Sequence, residues 1–474
     1  MSLFKGTAAI IGSMAVIVLS GFVINFILGR HFGPELYGVF GVLIAFWNLI
    51  TLLLTTGFMQ ATSQKIASNE AIAHTIKNKS LQLQLIISSG FCIIFFFAAP
   101  FIAGILNEPD LSTYLRLLIP GIIIYSITSA YSGYLLGKRM FGRQAVLLAI
   151  YGAGRLFILT GLGYLFFIKG AVYGLIAASF FTMAYGWLMT RGSDTGKFSP
   201  MNLLRFGIPA TLFAAIFIGV MSIDLLFVKA LLASAEAGYY AAASTLAKLP
   251  YLLFSGLAMT ILPEVARLHA SEPIHELQKT VREAMRLALM IIAPIGAAIS
   301  GTASLFLILL YSSEYAPGGK PLVILIAGTS LLSITYVLAA VINGIGKPKI
   351  STIIITVSLA ASAAFNLLLI PQYGIMGAAI ATTLAGALSL VLATGYIFVK
   401  IKTLVSTVSV LRIALATVVM WLISCIIPIT NKFMLPLEYA AMGAAYVAVL
   451  VLTKELGMKD IERFRRIFER QKPS

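Results

Sequence analysis

Charge, cysteine and long polar stretches are all scarce in this chain, and each shortage removes a class of protein. Only 34 Lys and Arg and 17 Asp and Glu occur in 474 residues, 11% of the total, while 59% of the residues are apolar. Soluble domains carry roughly 25% charged residues, so a cytosolic enzyme, a disordered chain and a secreted disulfide scaffold are excluded together. The two cysteines, Cys92 and Cys425, each sit inside an apolar run, which leaves neither a disulfide framework nor a cysteine metal site. The four histidines, His31, His74, His269 and His275, are dispersed, no HExxH occurs, and no cofactor is expected. Gly192-Ser-Asp-Thr-Gly196-Lys197-Phe198 has three residues between its glycines instead of four, and Phe198 where Ser or Thr should meet magnesium. It is not a phosphate-binding loop, so uphill work would need an ion gradient, the membrane potential or a partner.

Hydrophobic length is what the chain has. At ~20 residues per transmembrane helix, its apolar content fills about fourteen spans. The runs are unbroken, as in Ala8–Leu28 and Leu322–Val341, whereas a transmembrane barrel would alternate in polarity. The fold class expected is an all-α integral membrane protein. Polar breaks place spans near 7–28, 38–62, 81–105, 114–136, 144–167, 171–190, 203–231, 239–266, 284–310, 321–343, 350–370, 375–399, 406–429 and 434–453.

With the N-terminus inside, 26 of the 34 Lys and Arg fall on cytoplasmic segments. Arg30, Arg116, Lys169, Lys229, Lys320 and Lys432 fall outside, and Arg155 and Lys248 lie within spans. That is the positive-inside pattern of a multi-pass protein of the cytoplasmic membrane with both termini in the cytoplasm. The net charge of +17 therefore reports topology. Nucleic-acid binding, which would gather the basic residues on one polar face, is not expected. The tail from Met458 onward places Ile461, Phe464, Ile467 and Phe468 on one helical face and arginines elsewhere, as expected of a basic amphipathic helix on the inner leaflet.

The sequence matches itself at an offset near 200: Lys5 meets Arg205, Gly38 meets Gly238, Phe40 meets Tyr240 and Lys79 meets Lys279. Such repeats in transporters form two bundles about an axis along the membrane normal, with the substrate site between them near the midplane. The domain expectation is an N-terminal lobe over 1–200 (spans 1–6), a C-terminal lobe over 201–402 (spans 7–12), added spans 13 and 14 over 403–457, and the tail at 458–474. The two six-helix lobes are expected to be related by a pseudo-two-fold axis.

Charges within spans are expensive, about 2.5–3.5 kcal/mol each on insertion scales, and so face cavities or one another. Asp224 and Lys248 lie at similar distances on either side of the turn near Ala235, ~15–20 Å along their helices, and can pair there. They either staple two helices or line a cavity where substrate or ion competes for them. Pro250 should loosen the helix beside Lys248. At the equivalent depth 200 residues earlier stand Asn25 and Asn48. Arg155 has no acidic partner in view and is the candidate anion contact. Arg30 and Lys229, at the outer ends of spans 1 and 7, either snorkel to headgroups or stand at a cavity mouth.

Leu28-Gly29-Arg30-His31-Phe32-Gly33-Pro34-Glu35-Leu36-Tyr37-Gly38 resembles the outer turn of the polysaccharide exporters, or oligosaccharide flippases, of the multidrug/oligosaccharidyl-lipid/polysaccharide exporter superfamily. Asp224, Gly238-Tyr239-Tyr240, Leu262-Pro263 and Gly374-Ile-Met-Gly377-Ala-Ala-Ile-Ala381 are similar to that family's span 7–8 and span 12 regions. The resemblance implies two bundles that open alternately and move a polyprenyl-phosphate-linked or polyprenyl-pyrophosphate-linked oligosaccharide to the outer leaflet. No catalysis is expected, direction can come from H+ or Na+ as coupling ion or from glycan synthesis inside and consumption outside, and a monomer working beside glycan-assembly enzymes is expected. Ile24-Asn25 stands where peptidoglycan-precursor flippases carry an Arg-Asp pair. A cation-coupled multidrug exporter is the alternative, and an intramembrane glycan polymerase or ligase a third reading.

Overall fold

The computed structural model describes residues 3–271, 273–426 and 434–457, so the expected amphipathic tail from Met458 lies outside the described residues. Among the described residues the chain is helical throughout, with no strand. In chain order the helices are α1 (Leu3–Ser68), α2 (Ala73–Ile105), α3 (Leu111–Gly137), α4 (Phe141–Gly154), α5 (Thr160–Met189), α6 (Met201–Val220), α7 (Ile223–Leu231) and α8 (Ser234–Ala247). They continue as α9 (Leu249–Ser271), α10 (Ile274–Gly301), α11 (Ala303–Leu310), α12 (Gly319–Gly344), α13 (Pro348–Tyr373), α14 (Ile375–Ile401), α15 (Thr407–Ile426) and α16 (Leu435–Leu452). Among the described residues, eleven helical stretches are long and apolar enough to cross a membrane, or twelve if the bent pair α6–α7 counts as one.

Two of these stretches are too long for one crossing. The 57 residues of Gly12–Ser68 would run ~85 Å as a straight helix, against ~30 Å of hydrocarbon. The chain turns at Gly33, whose φ of 70° and ψ of 171° only glycine adopts cheaply, and the following Pro34 has no amide hydrogen to give. The 49-residue stretch Phe141–Met189 turns at Phe166 and Phe167. Past that turn, Gly170 and Gly174 let the returning chain lie against the Leu162 and Leu159 backbones, where a side chain would collide. The Gly33 reversal falls in the gap expected between the first two spans, while the second falls on the last two residues of the span expected over 144–167, so that span ends earlier than expected.

The chain divides into two compact units, Met1–Thr245 with Ile370–Ile375, and Leu246–Leu369 with Met376–Ser474. In the first, α1 packs on α3, α4 and α6, and α3 packs on α2 and α5. Helices α6 and α7, expected to open the C-terminal lobe, thus lie in the same unit as α1. In the second, α9 and α10 pack on α12 around a core that includes Val265, Val281, Val337, Leu338 and Ile397. Helices α15 and α16 dock on α10 through Met290, Ala416, Met442 and Tyr446, with the Tyr446 hydroxyl donating to the Met290 carbonyl at 2.9 Å. Buried Glu455 finishes this contact by accepting from Arg286 at 2.8 Å and from Arg412 at 3.4 Å.

Candidate functional site

In the first unit, α1, α3, α4 and α5 line a small cavity in which hydroxyl-bearing side chains stand among apolar ones. Trp47 is buried and donates its indole N–H to the Tyr151 hydroxyl at 3.3 Å. The Tyr125 ring lies 4.7 Å from that of Tyr151 and 5.8 Å from that of Trp47. Beside these rings is a cavity of about 80 Å³ lined by Thr55, Tyr125, Thr128, Ser129, Ser132 and Tyr151, among others. Thr55, Thr128 and Ser129 spend their hydroxyl hydrogens on carbonyls one turn back, at 2.7, 3.1 and 2.7 Å, and Ser132 accepts from Gln144 at 2.6 Å. Each of these hydroxyls keeps acceptor capacity, and the cavity, which Met59, Leu147 and Leu148 also line, is large enough for several waters.

Arg155 sits directly against this cluster, its guanidinium 5.6 Å from the centre of the Tyr151 ring. Its Nε is buried and has no hydrogen-bond partner. The residue opens a single π-helical turn, Arg155–Leu159, between α4 and α5. Such a turn inserts one residue into the helix and re-aims the side chains around it, and π-turns recur at functional sites. Arg155 as a whole is half-buried, and its cation–π contact, worth about 2 kcal/mol at best, leaves the buried Nε donor unused, which suits an anionic or hydroxyl-bearing ligand.

Asp224 is 2% exposed, yet its carboxylate is well supplied. It sits in the first turn of α7, just after the break at Met221–Ser222, where the span bends by 43°. Tyr240 donates its hydroxyl to the carboxylate at 2.7 Å and the Leu225 amide donates at 2.8 Å. The new helix start also points its amide dipoles at the charge. Within its own unit, then, Asp224 is held by a tyrosine, an amide and a helix end.

Lys248 belongs to the second unit and occupies the one-residue break between α8 and α9, half-buried, two residues before Pro250. The loosening expected there is present. Asn25 is half-buried, donates to the Gly21 carbonyl at 2.8 Å and accepts the Tyr37 hydroxyl at 2.9 Å. Asn48 is exposed beside buried Trp47, and Arg30 is exposed before the Gly33 reversal. The structure therefore brings Asn25, Arg155 and Asp224 into one unit with three distinct environments.

Lys229 corrects its expectation. It neither snorkels to headgroups nor stands open at a mouth: it is 1% exposed, 2.9 Å from Glu108 and 2.8 Å from the Ser234 hydroxyl. The countercharge arrives on the turn between α2 and α3, which makes the outer headgroups unnecessary. Asn107, on the same turn, donates to the Ala230 carbonyl at 2.9 Å.

Outside the spans, Asp194 has a role that sequence spacing hid. Its two carboxylate oxygens accept the amides of His74 and Thr75 at 2.6 and 2.7 Å, which caps α2 from 120 residues away. Lys77 donates to the Thr190 carbonyl at 2.7 Å, closing the end of α5. Burial opposes the Asp194 charge, but the Thr75 hydroxyl, the two amides and the nearby His74 outweigh it and hold the carboxyl below its ordinary value. The stretch from Gly192 to Phe198 is thus a clamp that ties the connection between α5 and α6 to the start of α2.

Comparison with known proteins adds a family and a fold. A family model described as polysaccharide biosynthesis protein matches residues 27–318. The probable low-salt glycan biosynthesis flippase Agl15 of Haloferax volcanii is 23% identical over 389 residues, 79% of each chain. The uncharacterized membrane protein MJ1375 of Methanocaldococcus jannaschii is 20% identical over 425 residues, 85% of this chain and 99% of that one. Among solved structures, the lipid II flippase MurJ in its inward closed conformation superimposes with a TM-score of 0.77 at 15% identity, covering 95% of this chain and 99% of MurJ. A multidrug resistance MATE family transporter of the MOP superfamily, inward-facing, gives 0.71 at 17% identity, covering 81% and 95%. At these identities the two structures speak for the fold.

Proposed function

The chain belongs to the polysaccharide biosynthesis protein family of exporters and flippases, and on that premise we propose that it moves a polyprenyl-phosphate-linked or polyprenyl-pyrophosphate-linked oligosaccharide from the inner to the outer leaflet by alternating access. The proposal includes fourteen spans in the two lobes and two added helices described from the sequence. It places the protein in the cytoplasmic membrane as a monomer with both termini inside, supplied and drained by glycan-assembly enzymes.

One observation carries the reading: the buried, unpartnered Nε of Arg155 beside an aromatic and hydroxyl-lined cavity. An anionic head group meets an idealised cost of order 20 kcal/mol per charge on entering hydrocarbon, and each unpaired sugar hydroxyl adds a few more. Arg155 replaces water around the phosphate. The Thr and Ser oxygens and the faces of Tyr125 and Tyr151 do the same for sugar. Asn25, Asn48, Lys248 and Arg30 are assigned to the remaining polar contacts of the path.

Asp224 and Lys248 are read as charges that substrate or a coupling ion, H+ or Na+, competes for. Direction can come from glycan synthesis inside and consumption outside, or from ion binding at Asp224. The buried Asp224 carboxylate also suits the second reading, a cation-coupled multidrug exporter of the same superfamily.

The test is transport in proteoliposomes. A fluorescent lipid-linked sugar on the inner leaflet should lose its protection from an external glycosidase only when the protein is present. Arg155→Ala should abolish that loss at normal membrane abundance, and an equally active variant would refute the site. Exchange of a small lipophilic cation for protons or sodium, without glycolipid movement, would establish the second reading instead.

A further inference from the structure

The two sequence repeats meet in the first unit at a seam of glycines that sit at equivalent positions. A methyl group on Gly38 would overlap the Ser234 carbonyl oxygen and approach the Gly238 nitrogen at 2.8 Å. A methyl group on Gly238 would overlap the Pro34 carbonyl, coming within 2.9 Å of Pro34 Cα. Position 38 thus abuts position 234, and position 238 abuts position 34. One step further, Gly41 faces Ala241, the residue 200 places on, and a side chain on Gly41 would come within 2.9 Å of the Ala241 Cβ. Reciprocal contact of this kind is what a two-fold relation between repeats produces where the axis passes through a contact. The atoms in the way are main-chain atoms, which a rotamer change cannot move aside.

A polar network closes the same end. Glu108 joins Lys229 at 2.9 Å and accepts the Ser234 hydroxyl at 3.0 Å, and Lys229 donates to that hydroxyl at 2.8 Å, so the residue whose carbonyl abuts Gly38 also bonds both members of the ion pair. Around the seam Tyr37, Ala237 and Tyr240 are buried. Glycine permits the approach, and the ion pair between buried Lys229 and half-buried Glu108 holds it in this arrangement, because parting the two would leave the buried Lys229 charge without its partner.

We propose that this seam is the outer gate: Gly38 and Gly238 decide which side the protein opens to, and Glu108–Lys229 bolts the outer side shut. The inference rests on the flippase reading for what passes through the gate and on the positive-inside topology for which side is outer. Packed cores and interfaces switch between discrete arrangements rather than deform continuously. A Cβ at either glycine therefore penalises the closed arrangement alone and shifts the population toward the open one.

The experiment uses the full chain in nanodiscs with Cys92→Ala and Cys425→Ala, and with spin labels on Leu36→Cys and Leu231→Cys, both exposed beside the seam. Pulsed electron-electron distances should show one dominant short separation. Gly38→Ala and Gly238→Ala should each make a longer separation the majority. Glu108→Lys should do the same by repulsion, and Glu108→Lys with Lys229→Glu should restore the short one. A folded Gly238→Ala protein with the parent distances overturns the gate. If that variant does not fold, the charge series decides: recovery only in the reversed pair supports the gate, and identical distances in all three proteins overturn it. Glycolipid transport is read separately. A seam that opens in a protein that moves no glycolipid keeps the gate and removes the flippase reading, while transport with a seam that never opens does the reverse.

Discussion

The first unit contains two polar ties of one construction, and they differ in a single respect. Near the Gly33 reversal, Tyr37 donates to Asn25; near the turn after α7, Tyr240 donates to Asp224. Each tyrosine is buried and lies 12 or 16 residues past its acceptor, so each tie closes the reversal between two neighbouring helices. The first acceptor is neutral and needs only the tyrosine and a carbonyl one turn back. The second is charged, and its span pays with a break at Met221–Ser222 that supplies a fresh helix end. A reversal can be closed without a charge, as the first tie shows. The charge is the one respect in which the two ties differ, and variants at the two ties separate a charge that serves the fold from one that acts in transport.

Converting the second tie into a copy of the first breaks the comparison most directly. Asp224→Asn keeps an oxygen for the Tyr240 hydroxyl, so unfolding in detergent should shift by no more than about 1 kcal/mol. Transport in proteoliposomes should fall at least ~10-fold, equivalent to about 1.4 kcal/mol in the barrier. Unchanged transport would make Asp224 a structural residue like Asn25. Adding Lys248→Gln extends the test, since a well-folded double variant with no transport means that the charges act on substrate or ion.

Removing the donors sharpens the difference quantitatively. Tyr240→Phe leaves a buried carboxylate short of a charge-assisted hydrogen bond and should cost about 1.5–3 kcal/mol, whereas Tyr37→Phe removes a neutral bond and should cost about 0.5–1.5 kcal/mol. Equal shifts in the two variants would mean that the two ties hold their reversals with the same strength.

These ties also show how far the amino-acid sequence could be read. Span positions, the Gly33-Pro34 reversal and the weakness beside Pro250 follow from local composition, because hydrophobic length, positive φ and a missing amide are properties of one or two residues. The break at Met221–Ser222 has no proline to announce it and was not foreseen. Arg155 was legible as a charge out of place, but the π-turn that aims it and the Trp47–Tyr151–Tyr125 cluster beneath it required the packing of three helices. Lys229 was misjudged because Glu108 lies more than a hundred residues away. A contact across that separation leaves no periodic trace.

The smallest effect concerns a third tie, at the clamp, where a carboxylate again receives donors but outside the hydrocarbon. Asp194 is half-buried and caps α2 through the His74 and Thr75 amides. Removing such a cap costs about 0.5–2 kcal/mol, and solvent screening puts a partly exposed carboxylate at the lower end. Its folded pKa lies below the ordinary value, so the unfolded chain takes up a proton first as the pH falls. The stabilisation is complete above about pH 4, the range of an ordinary aspartate, and is lost as the pH drops through the depressed value. Hydrogen exchange at the His74 and Thr75 amides, normalised to an unstructured peptide, should show constant protection from pH 8 to about 5 and a decline only below about pH 4. Asp194→Ala should lower that protection roughly fivefold at neutral pH, about 1 kcal/mol, and abolish its dependence on acid. A variant whose amides stay as protected as the parent's would show that helix packing alone orders this end of α2, leaving the two ties inside the membrane as the places where a single polar side chain decides the local structure.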